Sequence, residues 1–128
     1  LFAVAWSTAL GARLSNQAGR VGRARVLMAA GALVALAASA ALLWGPYVTG
    51  LRPTAHVYPA TVWVITIWTA AHGVAGSLML GYCLARSLAG RMTPAHDIDI
   101  FNVALYWHFV GFTVIVTVGT LAYLPVLM

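Results

Sequence analysis

Residues 26–43, 60–85 and 101–124 contain no aspartate, glutamate, lysine or arginine. A helix needs ~20 predominantly apolar residues to cross the hydrocarbon core of a bilayer. It also satisfies its own backbone hydrogen bonds, which lipid cannot do. These three runs therefore read as transmembrane spans. The rest of the composition agrees: the chain is 62% hydrophobic and 7% charged, with a mean hydropathy of +0.92. Soluble domains carry roughly 25% charged residues. A chain of 128 residues this apolar lacks the polar surface that water demands. The expected fold is an all-α membrane protein: three transmembrane helices plus the end of a fourth, in one antiparallel up-down bundle without a second domain.

Residues 1–12 are apolar, and no basic stretch precedes them. A signal peptide would need one, so they read as the end of a preceding helix. The first full span, residues 26–43, is rich in alanine, which predicts a thin helix packed closely on its neighbours. Gly45-Pro46 is expected to end it, with Trp44 and Tyr47 at the headgroup level. Pro59 opens the second span, and Pro125 follows the third.

All seven cationic residues are arginine, and the acids are Asp97 and Asp99 alone. A pI near 10.2 would suggest nucleic acid in a soluble chain. Here the arginines border apolar runs and read as topology signals, with no nucleic-acid partner. Four lie in the expected loop 13–25, two in the loop 86–100 and one, Arg52, between. The positive-inside rule then places the first and third loops in the cytoplasm and the C-terminus outside, on the periplasmic side of a bacterial inner membrane. The single Cys83 cannot form an internal disulfide.

On the second span, Thr69, His72, Gly76, Met79, Cys83 and Arg86 share one face by their i, i+3 and i+4 spacing. On the third, Asn102, Tyr106, Thr113, Thr117 and Thr120 form a stripe, with His108 nearly opposite. Polar stripes inside a membrane face protein, so both demand partners that three spans do not evidently supply. The threonines have a plainer role too, bonding the carbonyl one turn back. His72 and His108 invite a haem reading. Counted from the charged ends of their spans, they lie roughly 20 Å and roughly 10 Å deep, which disfavours a shared ligand plane. Asp97 and Asp99 suit the start of a helix as cap and dipole partner. His56 and His96 are loop residues with no evident partner. No phosphate loop, nucleophile elbow or metal-ligand cluster is present, so the chain carries no catalytic constellation.

The string Leu105-Tyr106-Trp107-His108-Phe109-Val110 resembles the "WYWHFVD" signature that opens the last helix of haem–copper (cytochrome c) oxidase subunit III. His72-Gly73-Val74-Ala75-Gly76-Ser77 is similar to the family's "HVxxGS", and Arg86 follows His72 at the family's spacing. The 36-residue separation of His72 and His108 fits without a gap, and Thr93-Pro94-Ala95-His96 resembles the connecting loop. Three positions depart from the pattern: Thr69 stands where the family has a histidine, Gly111 where it has an aspartate, and Phe101 where a glutamate is common. The match covers about the last sixty residues; residues 1–58 agree only in helix pattern. Such divergence resembles the tail of a fused subunit I+III polypeptide.

The resemblance implies a non-catalytic support role in a proton-pumping oxidase that reduces oxygen to water. Haem and copper would sit in partner chains: catalytic subunit I, or a fused N-terminal region, and subunit II. Membrane phospholipid is a further expected partner. The signature residues carried over are His72, Gly76, Arg86, Tyr106, Trp107 and His108, in packing roles. A quinol oxidase or nitric oxide reductase relative is the alternative within the family. A small b-type cytochrome ligated by His72 and His108 is the alternative outside it.

Overall fold

The computed structural model describes residues 1–127, with side chains as far as Tyr123. It contains four helices: α1 (Phe2–Gln17), α2 (Val21–Val48), α3 (Val57–Leu88) and α4 (Ile98–Leu127). α1 packs on α2 and α4, and α3 packs on the same two helices. The result is the expected all-α bundle, with consecutive helices as neighbours. By their 28, 32 and 30 residues, α2, α3 and α4 run about 42, 48 and 45 Å. Each exceeds the ~30 Å hydrocarbon core, and each is apolar enough to cross a membrane. Leu33, Leu78, Phe112 and Ile115 are at least 64% exposed on the outside. In water such a surface would aggregate; in a bilayer it meets lipid.

The helices outrun the expected spans. Arg13 lies inside α1, and Arg23 and Arg25 lie inside α2, so the expected loop 13–25 shrinks to residues 18–20. Arginine ends an apolar run, yet it is a good helix former, and its long side chain carries the charge out to the headgroups. α3 likewise continues through Arg86 to Leu88, and α4 begins at Ile98 rather than at 101 and passes 124 to Leu127. Nor does Gly45-Pro46 end α2, which continues to Val48. So near the end, Pro46 forfeits only one bond, that to the carbonyl of Leu42.

The actual stops are glycines. Gly19, Gly50 and Gly90 take φ of 70°, 66° and 69°. Each closes the same pair of backbone bonds. After α1, Arg20 N–H reaches Ser15 O at 2.8 Å and Gly19 N–H reaches Asn16 O at 3.0 Å. Leu51 to Pro46 with Gly50 to Tyr47, and Arg91 to Arg86 with Gly90 to Ser87, repeat it. This is the Schellman closure, in which the left-handed residue costs glycine nothing.

The core is built of alanine around one large ring. Ala5, Ala9 and Ala12 of α1 and Ala24 and Ala35 of α2 are fully buried. They surround Met28, Leu80 and Trp107, which are also fully buried. Lipid tails are as apolar as the core, so close packing rather than escape from water must hold such helices together.

Candidate functional site at the seam between α3 and α4

The polar face of α3 meets α4. Thr69 and Thr117, buried at 1% and 4% exposure, share a hydrogen bond of 2.8 Å between their hydroxyls. Tyr106 donates its hydroxyl to the backbone carbonyl of His72 at 3.3 Å. Gly76 is buried under Trp107: a Cβ at Gly76 would lie 2.9 Å from Cζ2 of the indole. Any side chain there would push the ring away, so the glycine admits the tryptophan. The stripe thus finds in α4 the protein partner that three spans seemed to lack. Thr113 instead takes the plain role, bonding the carbonyl of Phe109 at 3.0 Å.

His72 donates from Nδ1 to the carbonyl of Trp68 at 2.8 Å. A carbonyl only accepts, so that nitrogen carries the proton. The ring packs against Trp68, Tyr106 and Phe109, with centroids at 4.8, 6.5 and 5.3 Å. The turn of α4 that carries Tyr106 and Phe109 thus supplies two of its neighbours. The two helices run antiparallel with Arg86 against Asp99 and Thr69 against Thr117, a register that leaves His72 deeper than His108. The imidazoles still do not converge. His108 presents to Trp6 of α1, edge to face at 5.3 Å, on another side of α4 from Tyr106 and Phe109. Among the described residues, no three His, Cys, Asp or Glu side chains gather. Cys83 is a buried free thiol in the core.

At the charged end, Arg86 Nε lies 2.8 Å from Asp99 Oδ2, and Nη1 donates to the Tyr82 hydroxyl at 3.2 Å. Asp99 holds the first turn of α4, where a carboxylate also suits the helix dipole. Below this pair, Asp99, Asn102, Leu78, Met79 and Tyr82 line a cavity of about 360 Å³. Asp97 immediately precedes α4. Its carboxylate accepts from Gln17 at 2.9 Å and faces Arg13 at 3.9 Å, tying α1 to the start of α4. His96 also has a partner: its N–H meets Thr93 O at 3.0 Å, closing the turn 93–96, while its ring approaches the Thr93 hydroxyl at 3.4 Å. Proline second in that turn has the φ the turn requires.

Sequence reasoning missed three groups. Arg25 donates to Ser87 O at 2.6 Å and to Ser87 Oγ at 3.1 Å, capping the C-terminal end of α3 from α2. Asn16, 1% exposed, donates to Thr93 O at 3.3 Å. Trp6 lies over Gly111, where a Cβ would come within 2.8 Å of the ring. A signal existed only for the last: the chain has glycine where the resembling family has aspartate, and the room so left is filled by Trp6. Chemically the seam offers packing, two buried hydroxyls and an ion pair. No family model matches this chain, and no solved structure matches it.

Proposed function

We propose that this chain is a non-catalytic support region of a proton-pumping cytochrome c oxidase, akin to the C-terminal part of subunit III. One observation carries the reading. The two resembling motifs lie far apart in sequence, yet they interlock, with Gly76 receiving Trp107 and Tyr106 bonded to the carbonyl of His72. Signature residues that mate with each other are what a packing role requires. His72, Arg86 and His108 are likewise engaged with other side chains or backbone. On this reading the arginine-rich end faces the cytoplasm of a bacterium, the C-terminus faces the periplasm, and the haem- and copper-bearing subunits I and II lie against the bundle. Cytochrome c is the proposed electron donor, because the fused I+III arrangement is associated with it.

The test is co-purification. Tagged chain from its native membrane should bring down a haem-containing subunit, and His108→Leu should lower the yield of assembled enzyme while leaving its haem spectrum unchanged. Reproducible isolation of the chain alone would count against the proposal. A Soret band from the chain alone, lost in His72→Ala, would replace it with the cytochrome reading.

A further inference from the structure

We propose that the groove between α3 and α4 binds a membrane hydroquinone with a hydrocarbon tail, held by a hydrogen bond from its phenolic hydroxyl to Nε2 of His72. The groove has a volume of about 440 Å³ and is walled by Val64 and Trp68 of α3 and by Phe109, Phe112, Val116 and Thr120 of α4. From Phe109 to Thr120 it follows α4 for about 16 Å. A helix, about 10–12 Å across, would cover this groove rather than enter it, whereas a flat ring with a slender tail fits inside. His72 stands at the end nearer Arg86. Its ring lies 4.8 Å from that of Trp68 and 5.3 Å from that of Phe109, centroid to centroid.

Polar atoms at the groove select the ligand. The Thr69 and Thr117 hydroxyls are spent on each other, and Thr113 donates to the carbonyl of Phe109. His72 gives its Nδ1 proton to the carbonyl of Trp68 at 2.8 Å, which leaves Nε2 as a bare acceptor across the ring. Among the described residues nothing donates to that nitrogen; the Tyr106 hydroxyl is committed to the His72 backbone carbonyl. His72 is half-buried and lies about 21 Å from Arg86 along α3. That is mid-membrane, where water does not complete the bond. A quinone carbonyl only accepts, so it would set its lone pair against that of Nε2, whereas a hydroquinone O–H donates. The ring then rests among Trp68, Phe109 and Phe112, which favour offset or edge-on aromatic contact, and the tail runs outward past Val116. Binding of this kind, without a redox step, rests on the membrane-spanning bundle alone and is independent of the oxidase reading.

The experiment uses the full chain, purified with whatever subunits accompany it and placed in phospholipid nanodiscs. It is titrated without oxygen with decylubiquinol or decylubiquinone, counting ligand bound above that in empty discs. The reduced form should bind about fivefold more tightly, the worth of one net hydrogen bond. With isotope-labelled histidine, decylubiquinol should move the nitrogen resonance of His72 Nε2 much further than decylubiquinone does. His72→Leu should erase the preference by weakening the reduced form to the level of the oxidised one. Val116→Phe, at a position 50% exposed, should fill the groove and weaken both forms while helicity is retained. Equal affinity for the two forms would overturn the proposal. So would a preference that survives His72→Leu, which marks a site on an accompanying subunit, or no effect of Val116→Phe, which marks a groove covered by a partner helix.

Discussion

At the charged end of the bundle, side chains reach from helix to helix: Arg13 and Gln17 to Asp97, Asn16 to the carbonyl of Thr93, Arg25 to Ser87 and Arg86 to Asp99. Among the described residues, the opposite end has Trp63, whose indole N–H bonds the carbonyl of Leu51 at 2.7 Å, together with the tilted pair Trp44 and Tyr47. Between them the middle sets glycine and alanine against large rings, with neutral bonds from Thr69 to Thr117, Tyr106 to the carbonyl of His72 and Ser77 to the carbonyl of Ala32. The two ends differ because their surroundings differ. Water and headgroups near the charged end let long cationic side chains choose their partners at little cost. Deeper in the membrane an unpaired charge is expensive, so cohesion passes to shape.

If that division is right, the costliest changes lie in the middle. Trp107→Ala empties the centre of the core and should cost about 3–5 kcal/mol, seen as unfolding at much lower denaturant concentration in detergent. Gly76→Val drives a branched side chain at the indole and should cost about 2–3 kcal/mol; the double change with Trp107→Ala should cost less than the sum, because each relieves the other. Additive costs would break the claim that the two residues form one contact.

At the charged end the expected effects are smaller. Arg25→Ala removes two charge-assisted bonds to Ser87 and should cost about 2 kcal/mol, with faster hydrogen exchange confined to residues near Ser87. In the buried middle, a Thr69→Val, Thr117→Val double-mutant cycle should give a coupling of about 0.6 kcal/mol, the mean found for hydrogen bonds inside membrane proteins. The Arg86–Asp99 pair, partly exposed at 36% and 23%, should show the least coupling, and salt should weaken it further. Salt sensitivity of the Thr69–Thr117 coupling would blur the distinction between the middle and the charged end.

The sequence disclosed the spans, their number and the polar face of α3, because the cost of burying charge in lipid leaves few alternatives. Helix ends were less legible. Charge composition marks the edge of the bilayer, whereas a helix stops where its backbone finds a closure; Arg13 and Arg25 lie past the first edge but inside α1 and α2. Gly19, Gly50 and Gly90 were the better markers. The mutual fit of Gly76 and Trp107 was accessible only as membership of two motifs. That Arg25 bonds Ser87 was not legible, since nothing local to either residue names the other.

The three glycine closures carry one more consequence. Each reversal of the chain is built from backbone hydrogen bonds and a left-handed residue, with no arginine side chain needed to form it. Shape and orientation are thereby governed by separate parts of the sequence. Moving arginines from the ends of α1 and α2 to the 49–56 connection should invert how the protein enters a membrane, while the bundle keeps its three turns and loses the ties of Arg13 and Arg25.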